Sequence, residues 1–117
     1  PRPGRKVVYT GDTRPCSGTE RVAEDASLLV HDGMFADELS ERASETGHST
    51  AEEAARLARD AGVELLALTH VSSRYSDGTE PLERESHDVF PDSVVAHDGM
   101  KVVVEYPEKE RETRVVE

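Results

Sequence analysis

An α/β layer, with strands alternating with helices, is the fold class the sequence predicts, and three observations predict it. Short β-branched or leucine-rich runs recur at residues 6–10 (KVVYT), 27–30 (SLLV) and 63–69 (VELLALT). Helix-forming stretches with starts and stops of their own lie between them, and each run ends in a Gly, Asp or His where the next connection begins.

The first run is a buried strand closed by Gly11. Ser17 or Thr19 then caps a short helix with Val22, Ala23 and Ala26 on one side. The second strand, residues 27–30, gives way to the polar His31 and Asp32, and residues 36–46 (ADELSERASET) read as an exposed helix or ordered loop stopped by Gly47. The third unit is the clearest. Thr50 followed three residues later by Glu53 is a capping box, and Ala54, Leu57, Ala58 and Ala61 fall on one helical face. Gly62 suits a left-handed C-terminal cap, and the third strand follows, ending at Thr69 and His70. A last helix over residues 82–90 is closed by Pro91, residues 94–105 read as a β-hairpin turning at Asp98-Gly99, and residues 107–117 read as a charged, frayed tail after a domain of residues 1–106.

Composition narrows the classes. The 117 residues are enough for one domain, with no run of 18 apolar residues and a single cysteine, Cys16, which reads as a structural thiol. The expectation is a soluble cytoplasmic protein. Sixteen glutamates and nine aspartates face 14 basic residues, only three of them lysine, for a formal charge of −11. Such a surface lacks the basic stripe of a free-standing DNA or RNA binder. Any polyanionic substrate must be held locally, by a metal or a few arginines. The excess acid reads as a halophile's surface, since concentrated salt screens the self-repulsion. Because the sequence opens on Pro1, it reads as a piece of a longer chain.

If the three strands run the same way, Gly11-Asp12-Thr13, His31-Asp32 and Thr69-His70 all leave the sheet at its C-terminal edge, where α/β proteins place ligands. His48, just before the capped helix, comes to the same edge. Aspartate and imidazole are ligands for a divalent ion such as zinc, and a carboxylate can bridge two ions.

The segments YTGDTRPC (9–16), LLVHDGMF (28–35), TGHSTAEEAARLA (46–58) and LALTHVSSRY (66–75) resemble the C-terminal half of RNase Z, the tRNA 3′-processing endoribonuclease family. The resemblance runs from about Val7 to Gly99. It implies the C-terminal half of a metallo-β-lactamase-type αββα sandwich and, given the acidic, lysine-poor composition, a haloarchaeal source.

By the same resemblance, Asp12 matches the carboxylate bridging two zinc ions and His70 a histidine ligand. His48 matches the histidine that protonates the leaving 3′ oxygen. Its acidic partner falls at Asp32, in a motif reading His31-Asp32-Gly33-Met34, where the family has glutamate. The shorter side chain leaves open whether it reaches His48 directly or through water. Ser72 and Arg74 match residues that hold the scissile phosphate, or alternatively a helix-capping serine and a structural arginine. The implied substrate is precursor tRNA, cut after the discriminator nucleotide, by a full-length protein that is a homodimer. No HxHxDH motif occurs here, so these residues alone are expected to be inactive. Two alternatives stay open: a hydrolase of another phosphodiester or ester on the same fold, or a non-catalytic half.

Overall fold

A computed structural model describes residues 5–75, 77–97, 100–103 and 114–116. Four strands, β1 (Val7–Tyr9), β2 (Leu28–Asp32), β3 (Leu65–Thr69) and β4 (Ser93–Val95), form one sheet in the order β1-β2-β3-β4. Every pairing is parallel, with Val7 opposite Leu28, Leu28 opposite Leu65 and Leu66 opposite Ser93. The connecting helices are α1 (Ser17–Ala23), α2 (Ser40–Thr46), α3 (Ala51–Ala61) and α4 (Glu80–Val89), with 3₁₀ turns at Asp37–Leu39 and Ser73–Tyr75. A parallel sheet built in sequence order winds in one sense, so its helices gather on one face and its strand ends on one edge. This is the α/β layer that the alternation predicts.

The helical face holds the main core. Leu29, Leu66, Leu68 and Leu82 are fully buried there, with Phe35, Leu57 and Val95 nearly so. Each such side chain contributes about 1.5–3 kcal/mol on leaving water. Five buried alanines of α3 (Ala51, Ala54, Ala55, Ala58 and Ala61) let that helix lie close to its neighbours. The opposite face of the sheet presents Leu28, Val30, Leu65, Ala67 and Val94, against which Val102 and Val115 pack.

Those two valines belong to β5 (Lys101–Val103) and β6 (Arg114–Val116), which pair antiparallel. A C-terminal antiparallel pair is therefore present, but with other bounds than residues 94–105. Val94 and Val95 lie in β4 beside β3, because a parallel place in the main sheet buries them better than a local hairpin. The Asp98-Gly99 turn falls outside the described residues. So do residues 107–113 and 117 of the expected tail, while Arg114–Val116 is a paired strand.

The capping box of α3 forms as expected. The Thr50 hydroxyl accepts from the Glu53 N–H at 3.1 Å, and the Glu53 carboxylate accepts from the Thr50 N–H at 2.9 Å. Gly62 closes the helix with φ +75. Four local expectations are corrected. The first run is an exposed strand at the end of the sheet order β1-β2-β3-β4, not a buried one, with Val7 and Tyr9 56 % and 67 % exposed. Cys16, not Ser17 or Thr19, is the N-cap of α1: its thiol, on extended backbone, accepts from the Thr19 N–H at 3.5 Å. Val22 is 59 % exposed, because it sits about 100° around the helix from the buried Ala23. Finally, β2 continues through His31 and Asp32, both fully buried.

Gly33 follows directly, and a Cβ there would lie 2.8 Å from Cδ2 and 3.1 Å from Cβ of the fully buried Leu68. Gly33→Ala is expected to cost about 1–3 kcal/mol of overpacking, read as a lower urea midpoint with an unchanged slope. A neutral outcome would mean that Leu68 yields freely.

Candidate active site

The C-terminal ends of β1, β2 and β3 converge, and the residues there are organised around Asp32. One of its carboxylate oxygens, Oδ2, accepts from the Thr13 N–H at 3.0 Å and faces His48 Nδ1 at 2.7 Å. The other, Oδ1, accepts from the Met34 N–H at 3.0 Å. Asp32 thus reaches His48 directly. Its side chain is fully buried and that of His48 is 15 % exposed, so the ring reaches the surface only at its free edge.

His48 is held from several sides. Its N–H donates to the Ala43 carbonyl at 2.9 Å, tying it to the end of α2, and the Phe35 ring stands edge-on to it at 6.4 Å. Its carbonyl accepts from Arg14 Nη1 at 2.7 Å. Arg14 also forks onto Glu53, at 2.8 Å to Oε1 and 2.7 Å to Oε2, so the carboxylate that caps α3 also anchors the loop after β1. The Ser49 hydroxyl adds a 2.5 Å bond to the Thr13 carbonyl. Burial pushes the Glu53 carboxyl up, but hydrogen bonds from Arg14 and Thr50 outweigh it and hold the pKa below its ordinary value.

At the rim, His70 Nε2 contacts Asp12 Oδ1, and both side chains are about half exposed. His70 has φ +63, a left-handed backbone that a non-glycine residue adopts at a cost and that recurs at functional sites. The His48 and His70 rings lie 6.0 Å apart. One ligand atom each from Asp12, Asp32 and His48 lies within 4.8 Å of the others. The donor set fits a divalent ion such as zinc. Asp32 and His48 already satisfy each other, whereas Asp12 and His70 face each other at the open rim.

The six residues singled out in the sequence thus separate into groups. Asp12, Asp32, His48 and His70 come together. Arg74 borders them through Phe35, its guanidinium 5.7 Å over that ring. The Ser72 hydroxyl oxygen accepts from the Arg74 N–H at 3.3 Å, and the Ser72 N–H donates to the Met34 carbonyl at 3.0 Å. Tyr75 of the same motif is buried, its hydroxyl accepting from the Ala36 N–H at 2.8 Å. Arg14, Thr13 and Ser49 lie within the segments 9–16 and 46–58, but their roles rest on partners 19 to 39 residues away that the sequence does not announce. Glu53 was seen only as a cap.

His31 is fully buried beside Asp32. Its Nδ1 lies 2.8 Å from the Asp32 carbonyl, and Nε2 is buried with no hydrogen-bond partner. A carbonyl only accepts, so Nδ1 carries the proton. Burial pushes the imidazole pKa below its ordinary value, against the pull of the Asp32 carbonyl and carboxylate. An orphaned buried acceptor costs about 1–3 kcal/mol.

Parallel strands with helices on one face, a hairpin on the other and acidic and imidazole side chains at the C-terminal edge describe a metallo-β-lactamase fold. Residues 1–71 match the family profile described as Beta-lactamase superfamily domain, and the chain belongs to that superfamily. It is similar to the metallo-β-lactamase fold protein YhfI from Bacillus subtilis, at 31 % identity and TM-score 0.71 over 80 % of this chain and 37 % of that one. It is also similar to human tRNase Z, short form, at 28 % identity and TM-score 0.68, over 86 % and 34 %. Ribonuclease Z of Methanosarcina acetivorans is 54 % identical over 106 residues, 91 % of this chain and 35 % of the relative. Ribonuclease Z of Haloferax volcanii is 55 % identical over 111 residues, 94 % and 35 %. The chain spans about a third of the length of these curated relatives.

The Arg14–Glu53 fork is expected to show a coupling of about 1 kcal/mol or more in a double-mutant cycle with Arg14→Ala and Glu53→Ala. Because the folded pKa of Glu53 lies below its unfolded value, the stabilisation is present above the ordinary carboxylate range and is lost as pH falls through the folded value. Coupling that persists unchanged in acid would contradict this assignment.

Proposed function

We propose that this chain is part of a metal-dependent endoribonuclease that removes the 3′ trailer of precursor tRNA by phosphodiester hydrolysis. The observation that carries the proposal is the buried Asp32–His48 pair, 2.7 Å apart, opening beside Asp12 and His70. The likeness to proteins named Ribonuclease Z supports the substrate class.

Asp12 and His70 are the residues that would hold the metal in this part of the protein, and zinc, as two ions per complete site, suits the donor set. When bound, the metal supplies Lewis-acid stabilisation of phosphoryl charge and a stronger water nucleophile. Water adds to phosphorus, the bond to the 3′ oxygen breaks, and that oxygen leaves as a hydroxyl after taking a proton. His48 donates it: Asp32 holds Nδ1, so Nε2 is the nitrogen turned over to the substrate. Arg74, stacked on Phe35, and the Ser72 hydroxyl lie on the adjoining loop to hold phosphate oxygens. The full-length protein acts as a cytoplasmic homodimer, and no helix among the described residues is long and apolar enough to cross a membrane. A haloarchaeal source accords with the acidic composition and with relatives from Haloferax volcanii and Halobacterium salinarum.

The test is cleavage of a 3′-extended precursor tRNA by the full-length parent in high salt with zinc or manganese. Asp12→Ala and His48→Ala should each lower kcat about 100-fold or more. A parent that binds metal but leaves the tRNA intact would point to another phosphodiester or ester. The 117 residues alone should bind zinc weakly and cut nothing above background. Zinc-dependent cleavage by them would show that Asp12 and His70 suffice as ligands.

A further inference from the structure

We infer that His31 is a positioning residue for the Asp32–His48 pair, acting through its Nδ1 proton on the Asp32 carbonyl. The inference rests on the functional reading above only in its kinetic test.

The peptide unit that follows Asp32 is held at both ends. Its carbonyl accepts from His31 Nδ1 at 2.8 Å, and its N–H, that of Gly33, donates to the Thr69 carbonyl at 2.9 Å. Fixing that peptide plane fixes the backbone torsion at Asp32, and with it the direction in which the carboxylate leaves the strand. The carboxylate must meet three partners at once, the Thr13 N–H, the Met34 N–H and His48 Nδ1. A small rotation of the plane would loosen all three.

The other half of the ring supports a role beyond packing. Nε2 is buried with no partner, so the imidazole carries an acceptor that packing alone would not select. A leucine of similar size would fill the space without that orphan. What leucine lacks is an N–H at the Nδ1 position. His31 is held in one tautomer by this geometry, because a proton on Nε2 would leave Nδ1 as a lone pair against the lone pairs of a carbonyl.

Amide side chains separate the two nitrogens. His31→Asn keeps an N–H donor where Nδ1 stands, His31→Gln places its amide where Nε2 stands, and His31→Leu offers no donor. In the full-length parent assayed on 3′-extended precursor tRNA, His31→Gln and His31→Leu should lose about tenfold or more in kcat, with KM changed about twofold at most. His31→Asn should stay within about threefold of the parent. Equal loss in all three variants, or none in any, would overturn the inference.

A spectroscopic arm stands apart from activity, and its first measurement needs no variant. Nitrogen-15 NMR of the histidine-labelled parent should show His31 as the Nδ1–H tautomer, and an Nε2–H tautomer would overturn the inference outright. The His48 ring signals should move in the Gln variant and hold in the Asn variant. If the parent leaves precursor tRNA uncut while these signals behave as expected, the functional reading fails and the positioning role stands.

Discussion

A fully buried carboxylate has to be satisfied from every side, and the arrangement of this molecule at its functional edge follows from how Asp32 meets that demand. Burying an unpaired carboxylate would cost several kcal/mol, enough to consume most of the stability of a small domain. Here two backbone N–H groups and one imidazole surround it. Each comes from a different segment: Thr13 from the loop after β1, Met34 from the turn after β2, and His48 from the approach to α3. The electrostatic requirement of one side chain thereby fixes three otherwise independent loops relative to one another.

The second brace runs through Glu53, and it shows how a local motif becomes a tertiary one. A capping box leaves the carboxylate bound at one oxygen only. Arg14 uses both oxygens through its planar fork and still reaches the His48 carbonyl with Nη1. A lysine could keep the charge but not the paired geometry. The consequence is that the stability of α3 and the placement of His48 depend on the same carboxylate, so disturbing the cap disturbs the site.

The parts of this structure legible in the sequence are those fixed by local chemistry. Thr50, Glu53 and Gly62 announce both ends of α3 because capping operates within a few residues. Asp12, Asp32, His48 and His70 could be placed on one edge because parallel strands in sequence order must end together. Arg14 and Glu53 are 39 residues apart, and nothing near either one signals the other. The Asp98-Gly99 pair is a strong hairpin signal, yet Val94 and Val95 pair with β3 instead, a choice made by distant burial. Asp32 is misleading for a related reason. A polar pair after SLLV reads as the end of a strand, and only the partners converging from three loops make it the strand's best-satisfied residue.

The acidic surface and the proposed polyanionic substrate are reconciled by where the charges sit. Glu38, Glu41 and Glu45 line a concavity on the 3₁₀ turn and α2, and Glu52 and Asp60 lie on α3. At the rim, the carboxylate most exposed to an approaching phosphate is Asp12, and it already faces His70. Asp32 is shielded behind His48, and Glu53 is neutralised by Arg14. Arg74, steadied by the Phe35 ring, is an exposed cation beside them, and a metal on Asp12 and His70 would add to that local positive field. The net charge of −11 acts at distances where salt screens it, whereas the phosphate of the proposed substrate would lie within a few ångströms of groups whose negative charge is already paired. A strongly acidic chain can thus present a phosphate-accepting edge without a basic face.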